Sequence, residues 1–317
     1  MMNYTQVLEQ IEQLKIGKKV SLKENPFSKV LYIPEGYTYD CVGEYAEAIL
    51  KEHKFAVARL TKFAIKRPLG HILYNGKTIS QKDFAKYGEM VIERAVDSRD
   101  LTKTEAFLGI AFQMFSEKKA DYIILPSDEM ADFEAYKERY VNSPVTSQKE
   151  VMKGIVYSFL ERQGVILNEK LVEKALTKCK CEGHFELLKK KPYFLADGAD
   201  DGESVKRLMA NLQYHYPNNP YIFIVGTMKE GYEEVVKESA RMARQIITVT
   251  PFECQKALNS LDLAEEFGKL NPNITNASSI EEAIEIATIL ADKDTVVVAF
   301  GTTAILAGYR DTVLKGV

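Results

Sequence analysis

The sequence predicts an α/β fold in which strands and helices alternate along most of the chain. Short runs of β-branched and aromatic residues, bounded by turn residues, are typical of buried strands. Segments with apolar residues three and four positions apart lie between these runs and are typical of amphipathic helices. This alternation favours mostly parallel sheets that are covered by helices on both faces. The length of 317 residues suits two such α/β units.

The strand pattern recurs from the N-terminal third to the C-terminus. The predicted strands cover residues 29–33, 55–60, 121–125, 193–196, 221–225, 244–249 and 295–300. Each run is short enough for one strand of a sheet and apolar enough to be buried on both faces.

The helical pattern occupies the segments between these strands. The clearest helical patterns lie at residues 42–50, 107–114, 149–163, 169–178 and 280–287. Ser279 and Glu282 have the spacing of a capping box immediately before the last of them.

A change of composition near the middle of the chain predicts a domain boundary. The polar stretch EAYKERYVNSPVTSQ is followed by two helical patterns and a lysine-rich turn. We therefore expect an N-terminal α/β domain at 1–146, a helical connector at 147–190 and a C-terminal α/β domain at 191–317, which are ordinary domain sizes.

Composition and charge exclude several classes of protein. Hydrophobic residues make up 46% and charged residues 27% of the chain, a balance that is too apolar for disorder. The net charge of -3 gives no general attraction to nucleic acid or to an anionic membrane. No apolar run approaches a membrane span, and the first residues lack the pattern of a secretory signal. With only four cysteines, we expect a cytoplasmic protein with reduced thiols.

The loop after the first predicted strand is the first place to look for a ligand, because open α/β sheets bind ligands where strands end and helices begin. A phosphate-binding loop there needs glycines, a lysine for the outer phosphates and a serine or threonine for magnesium. The loop reads PEGYTYDC, with the single glycine Gly36, no lysine, and the two acids Glu35 and Asp40. It therefore lacks the groups that hold a triphosphate.

Segments in matching order along the chain carry a family resemblance. They read KVLYIPEGYTYDCVGEYAEAIL, TKFAI, HILYNGKTISQKDF, LTKTEAFLGIAFQMFSEKKADYIIL, CEGHFELL, DGADDG, YIFIVGTMKEGYEEVV, ITVTPFECQKAL and SSIEEAIEIA with TVVVAFGTTAILAGYR. In these segments the chain resembles the folylpolyglutamate synthase/dihydrofolate synthase branch of the Mur ligase superfamily over nearly its whole length.

The resemblance implies a fold and an activity. The implied fold is a truncated P-loop-like N-terminal α/β domain plus a Rossmann-like C-terminal α/β domain with a mostly parallel sheet. The implied activity is ATP-dependent amide formation, in which a folate-type carboxylate is phosphorylated and then attacked by the amine of glutamate. That chemistry needs magnesium and a lysine to neutralise the transferring phosphoryl group.

This sequence departs from the family pattern at those groups. The phosphate-loop lysine aligns with Tyr39 and the magnesium-binding serine aligns with Cys41, while the loop glycines align with Glu35, Thr38 and Asp40. At the effective dielectric of a protein surface, one charge pair about 4 Å apart is worth about 4 kcal/mol. Loss of the lysine and gain of two acids therefore predict a large loss of triphosphate affinity.

Other family positions have also changed. The metal-binding glutamate after the next strand aligns with Pro126, the nucleotide-contacting arginine aligns with His184, and a His-Asn pair aligns with Asp200 and Asp201. A long family segment between the first domain and the connector is missing, and with it half of the first sheet. We therefore expect a shortened, degenerate member.

Two functions remain open. In one, the ATP and magnesium sites are eroded and the chain is a non-catalytic binding, regulatory or partner subunit, without a required cofactor or metal. In the other, it is an active ligase that uses ATP and Mg²⁺ to add glutamate to folate or a similar carboxylate acceptor. The degenerate nucleotide-binding positions are Glu35, Gly36, Thr38, Tyr39, Asp40 and Cys41.

Three acids are weak candidates for a catalytic role. Asp197 and Asp200 follow a strand and precede a helix, and Glu105 matches a family glutamate. Each has a structural alternative, since acids in a first helical turn are favoured by the helix dipole. The sequence Cys179-x-Cys181-x-x-His184 does not have the usual spacing of a zinc site, so we expect no metal there.

The missing half of the first sheet predicts an exposed edge. We expect either a homodimer or a heteromeric ligase partner to cover it. A folate-like or glutamyl small molecule is the expected ligand, and we expect neither nucleic acid nor a membrane as a partner.

Overall fold

The structure is a computed structural model with two compact units. It describes residues 2–15, 26–34, 37–61, 68–95, 101–127, 145–251 and 256–316. The first unit consists of Met1–Tyr136 and Met152–Cys179, and the second consists of Lys137–Val151 and Lys180–Val317. Each unit has a sheet with helices packed on it, mixed in the first unit and mostly parallel in the second, so the predicted α/β class is confirmed.

The described helices are α1 (Tyr4–Gln13), α2 (Tyr37–Glu52), α3 (Gln81–Ala95), α4 (Lys103–Glu117), α5 (Val145–Arg162), α6 (Glu169–Lys178), α7 (Gly202–His215), α8 (Tyr232–Ser239), α9 (Ser260–Gly268), α10 (Ile280–Leu290) and α11 (Thr303–Lys315).

The described strands are β1 (Val30–Pro34), β2 (Val57–Leu60), β3 (Ile72–Tyr74), β4 (Lys77–Thr78), β5 (Tyr122–Ser127), β6 (Glu186–Lys189), β7 (Tyr193–Ala196), β8 (Tyr221–Val225), β9 (Gln245–Val249), β10 (Ile274–Ala277) and β11 (Val296–Phe300).

The sheet of the first unit has the strand order β1-β5-β2-β3-β4. β5 pairs in parallel with β1 and β2, whereas β3 and β4 continue the sheet as an antiparallel hairpin. Alternate strand residues face opposite sides, as the pleat requires. Ala58 and Ile123 belong to the core formed with α1, α3 and α4. α2 contacts β1 and β2, and α6 packs on α2.

The sheet of the second unit has the strand order β10-β9-β8-β11-β7-β6. Only β6 is antiparallel to its neighbour; the other pairs are parallel. The chain steps outward from β7 through β8 and β9 to β10, and then returns to β11 between β8 and β7. Because such crossovers are right-handed, the helices of the outward steps lie on one face and α10 lies on the other. The packing agrees, since α8 contacts α7 and α9, while α10 contacts α11.

Every strand predicted from the sequence is present within two residues of its expected bounds. The strands that were not predicted are short, polar or at an edge. β4 is two exposed residues long, and β10 carries the polar residues of ITNA. Neither gives an apolar run that the sequence pattern can recognise.

The start of α10 differs in detail from the predicted capping box. The Ser279 side chain accepts the N–H of Glu282 at 3.1 Å, as expected. The Glu282 carboxylate, however, accepts the N–H of Ser278 at 2.6 Å instead of that of Ser279. Within the described parts of the chain, the helices are too short or too polar to cross a membrane.

Candidate functional site

The β1–α2 junction is the place where the sequence puts the degenerate phosphate loop. β1 ends at Pro34 and α2 begins at Tyr37, so residues 35 and 36 alone separate them. The predicted positions Glu35 and Gly36 lie outside the described residues. The backbone of residues 37–40, which includes Thr38, Tyr39 and Asp40, is helical, and their side chains also lie outside the described part. Cys41 is 8% exposed and belongs to the core.

A buried ionic cluster lies between α2 and β2. Arg59 on β2 is 5% exposed, and its Nε lies 3.2 Å from Glu47 Oε2. Its Nη2 lies 3.4 Å from Glu44 Oε1. The backbone N–H of Gly76 also donates to Glu47. The charges of α2 that face the sheet are therefore engaged within the fold.

Glu105 occupies a helix cap. Its Oε2 accepts the Thr102 N–H at 2.9 Å and the Thr102 hydroxyl at 2.7 Å. These bonds form a capping box at the start of α4 and lower the pKa of the exposed Glu105 carboxyl, with the Thr102 hydroxyl as the larger cause. The sequence predicted Glu105 as a weak catalytic candidate, and the structure gives it a local structural role.

The second unit gathers polar groups at the carboxyl ends of its parallel strands. The segments after β7 and β11 lead to helices on opposite faces of the sheet, which is the switch point where α/β sheets bind ligands. We call four segments at this edge the strand-end site: residues 181–185, 197–201, 226–227 and 301–302.

Asp197 ties two parts of the strand-end site together. It is 4% exposed. Its Oδ2 accepts the N–H of Phe185 at 2.7 Å, and its Oδ1 accepts the N–H of Ala199 at 3.0 Å. The Gly198 N–H donates to the Gly183 carbonyl at 2.8 Å. Asp197, a predicted site residue, therefore fixes the 181–185 turn on the 197–201 loop.

The neighbouring predicted acids differ from Asp197 in exposure and role. Asp201 is the N-cap of α7, where its Oδ1 accepts the Ser204 N–H at 2.7 Å. Asp200 is exposed, and its backbone N–H donates to Ser204 Oγ at 3.2 Å. Asp200 and Asp201 are both exposed, in contrast to the buried Asp197.

The floor of the strand-end site is made of closely packed backbone. Gly301 has φ +104°, and a Cβ there would stand 2.5 Å from the Gly226 carbonyl oxygen. Only glycine fits such a position. Beside it, Thr227 is 2% exposed, and among the described residues its hydroxyl has no hydrogen-bond partner. A buried polar group of this kind calls for a bound water or ligand.

The 181–185 turn carries His184 at the rim of the strand-end site. His184 is half-buried, and its Nδ1 lies 3.1 Å from the Glu182 carbonyl oxygen. Among the residues that the structure describes, no three histidine, cysteine or acidic side chains lie close enough together to hold a metal ion. The chemistry of this rim is therefore that of an imidazole and carboxylates.

Sequence reasoning missed three residues that shape this site. Arg310 on α11 is 7% exposed and grips Glu186 with two bonds, from Nε at 2.8 Å and from Nη2 at 2.9 Å. His215 on α7 lies 5.4 Å from the Phe185 ring, and burial lowers its pKa. Thr227 is the third. Thr227 and Arg310 lie in quoted motifs but have no distinctive spacing, and His215 lies outside those motifs.

Comparison with known proteins now gives the family context. Residues 183–303 match the model of the Mur ligase, glutamate ligase domain. No curated protein sequence matches the chain significantly. The matched segment begins in the 181–185 turn and ends in the first turn of α11, so it covers the strand-end site except residues 181 and 182.

Solved structures match the chain from end to end. The folylpolyglutamate synthase from Thermotoga maritima has 15% identity and a TM-score of 0.77, with 99% of this chain and 97% of that chain covered. The bifunctional folylpolyglutamate synthase/dihydrofolate synthase from Yersinia pestis, complexed with AMPPNP and Mn ion, has 13% identity and a TM-score of 0.79, with 99% and 98% covered. E. coli FolC in complex with DHPP and ADP has 13% identity and a TM-score of 0.80, with 98% of each chain covered.

At these identities the structural matches establish the fold of the whole chain, and the domain match extends over residues 183–303 of the second unit. The predicted resemblance is thus confirmed. Residues 183–303 resemble the glutamate ligase domain of the Mur ligases, and the whole chain has the fold of the folylpolyglutamate synthases that it matches.

Proposed function

We propose that this chain is a folylpolyglutamate synthase-like protein that has lost ATP-dependent catalysis and acts as a binding, regulatory or partner subunit. In this proposal the first unit is a scaffold and the second unit holds the ligand. The observation that carries the proposal is the β1–α2 junction, where two residues separate the strand from the helix.

The backbone of this junction supports the loss of nucleotide binding. A phosphate loop surrounds the anion with converging N–H groups, which requires a loop between strand and helix. Here residues 37–40 already belong to α2. Their N–H groups point along the helix axis, as at any helix start. The sequence adds Glu35 and Asp40 at this helix end. The helix dipole stabilises acidic side chains there, but their negative charges repel a triphosphate.

The residue types at this junction also suit magnesium poorly. Mg²⁺ takes oxygen ligands, and the position of the family's magnesium-binding serine is Cys41, a soft thiol that is 8% exposed. Tyr39 supplies no positive charge in place of the lysine. The residues present therefore do not fit Mg·ATP, and we derive no phosphoryl-transfer step for this chain.

The strand-end site supports a retained binding role. Its loops and turn are held by buried, short hydrogen bonds to Asp197, and the Thr227 hydroxyl offers an unused buried donor and acceptor among the described groups. One matching structure is of a folylpolyglutamate synthase/dihydrofolate synthase with L-glutamate bound. We propose a glutamyl or folate-like molecule as the ligand of this chain.

A partner chain is the second part of the proposal. Among the described strands β1 lies at the edge of its sheet, where unpaired backbone groups accept another strand. β1 is short, follows Lys29 and ends at Pro34, features that limit uncontrolled pairing. We therefore propose a matched partner, either a second copy or an active ligase. A monomer by light scattering at micromolar concentration, alone and with that ligase, would count against it.

The alternative is an active ligase that adds glutamate to folate or a similar carboxylate acceptor. One observation favours it: the match to the glutamate ligase domain covers all of the strand-end site except residues 181 and 182. This alternative requires ATP and Mg²⁺ to bind in a manner unlike that of a phosphate loop.

Calorimetry and thermal shift distinguish the two functions. We expect no response of the full chain to millimolar Mg·ATP. L-glutamate, folate or a folylglutamate at 100 times its Kd should stabilise the second unit by about 2.7 kcal/mol. Thr227→Val is the matched variant, since it alters the proposed site without removing a described hydrogen bond. Saturable Mg·ATP binding, or ADP release that depends on a carboxylate acceptor and glutamate, would establish the alternative instead.

A further inference from the structure

The 181–185 turn has an unfavourable backbone conformation that neighbouring groups must stabilise. Gly183 has φ +68°, and Phe185 has φ +47° although it is not a glycine. The left-handed region is unfavourable for a residue with a Cβ, so Phe185 adopts it only because neighbouring groups impose it. The question is which groups set this turn.

Glu186 holds the turn from one side. Its Oε2 accepts the N–H of Gly183 at 2.8 Å. On the other side, Asp197 accepts the N–H of Phe185 at 2.7 Å. The two carboxylates thus fix the two left-handed residues, with His184 between them.

The orientation of the Glu186 carboxylate depends on Arg310. The Arg310 Nε donates to Oε2 at 2.8 Å and Nη2 donates to Oε1 at 2.9 Å. This fork fixes both the plane and the position of the carboxylate, which a lysine cannot do. Arg310 Nη2 also lies 3.2 Å from Glu182 Oε1, but the Glu182 side chain is 61% exposed. A pair this exposed contributes little.

We propose that Arg310 is a positioning residue of the strand-end site. By forming two hydrogen bonds to the Glu186 carboxylate, Arg310 determines the conformation of the 181–185 turn and therefore the position of His184. Arg310 lies outside the matched segment 183–303, in the second turn of α11. The consequence for a ligand rests on the proposed function of the second unit, whereas the effect on the turn does not.

Amide hydrogen exchange of the full chain without ligand tests the proposal. Arg310→Lys keeps the charge and loses the fork. We expect exchange at Gly183 to become at least about tenfold faster, while the amides of β8 and β11 stay unchanged. Alkylation of the Cys181 thiol by iodoacetamide, followed by mass spectrometry, should accelerate as well, because Cys181 is the first residue of the turn. Glu186→Gln keeps an acceptor for Gly183 but weakens the ion pair, and should give the same local change to a smaller extent.

Two variants serve as matched controls. Arg244→Lys makes the same substitution at an arginine of the second unit that pairs with Asp292 at 3.5 Å, away from the turn. Glu182→Ala removes only the exposed partner of Arg310. Both should leave Gly183 exchange within about twofold of the wild type.

The proposal is overturned if Arg310→Lys leaves Gly183 exchange unchanged, or accelerates exchange equally throughout the second unit. A missing response of the wild type to glutamate or folates would count against the proposed function alone. The turn result would stand in that case, since it is measured without ligand.

Discussion

The β1–α2 junction and the β7–α7 junction are the same structural element with different contents. In each, a buried parallel strand passes into a helix at the carboxyl edge of a sheet. Residues 35 and 36 separate β1 from α2, whereas residues 197–201 separate β7 from α7. The segment of residues 197–201 is long enough to form a loop that hydrogen-bonds to the 181–185 turn and to β11. A segment of two residues is too short for such a loop.

The difference extends to where each junction places its charge. In the first unit, Arg59 of β2 pairs with Glu44 and Glu47 of α2. These charges lie between the helix and the sheet, so they stabilise the packing of α2 on the sheet. In the second unit, Asp197 turns toward the loop and organises backbone N–H groups at the rim. The same topology therefore serves packing in one unit and presentation of a site in the other.

The largest effect is expected from Arg59→Met in the first unit. The substitution leaves two carboxylates without their buried cation, which typically costs about 3–5 kcal/mol. The free energy of unfolding of the first unit, measured from exchange of its slowest amides in β2, should fall by that amount. The second unit serves as the reference in the same experiment, because Arg59 lies in the first unit.

Lys86→Met is the matched control for that prediction. Lys86 pairs with Glu117 at 2.6 Å, but the two side chains are 49% and 46% exposed. Exposed pairs of this kind contribute little. If Arg59→Met lowered the free energy of unfolding as little as Lys86→Met, the buried ion pairs would not be what stabilises α2 on the sheet.

Asp197→Ala should have the next largest effect, and in the second unit. It removes a buried acceptor of two backbone N–H groups, which we expect to destabilise the unit by about 2–3 kcal/mol. Urea unfolding of the second unit measures the change. Asp200→Ala should have a smaller effect, since the Asp200 side chain is exposed and that of Asp197 is buried. Equal effects of the two substitutions would contradict the organising role of Asp197.

A smaller effect is expected from pH, through His215. Burial lowers the pKa of His215 below its ordinary value of 6.5 in the folded chain. The unfolded chain therefore takes up the proton first as the pH falls. The free energy of unfolding therefore keeps its full value with respect to His215 above pH 6.5, and it falls progressively as the pH drops below 6.5.

His215→Phe should remove this part of the pH dependence. Thermal unfolding of the second unit between about pH 7.5 and pH 5.5 isolates it, because the depressed carboxyl pKa values of Glu282 and Asp292 act only at lower pH. An unchanged slope in the variant would show that His215 is not the titrating group.

Much of the fold was predictable because it rests on repeated patterns. Central strands such as β8 and β11 are fully apolar runs, and α6 begins and ends where its pattern does. β3, β4 and β10 escaped because a short strand gains its order from its neighbours in the sheet. Propensity along the chain carries no trace of that pairing.

The candidate site was predictable only in part, for a physical reason. Asp197 and His184 lie in motifs that the resemblance identified, so their location was expected. Arg310 acts through Glu186, which is 124 positions away along the chain. The burial of the Thr227 hydroxyl depends on how close Gly226 and Gly301 approach each other. Such roles exist only in three dimensions and leave no local pattern.

The smallest effect is expected from Thr227→Val, which tests whether the buried Thr227 hydroxyl has a structural role. Valine has the shape of threonine, and among the described residues the Thr227 hydroxyl has no partner to lose. The stability of the second unit should therefore change by less than about 0.5 kcal/mol, or rise. Thr248→Val is the contrast, because the buried Thr248 hydroxyl donates to the Ser260 carbonyl at 2.8 Å and its loss should cost about 1 kcal/mol. If Thr227→Val cost as much as Thr248→Val, the hydroxyl would have a structural partner, such as a bound water, and would not be reserved for a ligand.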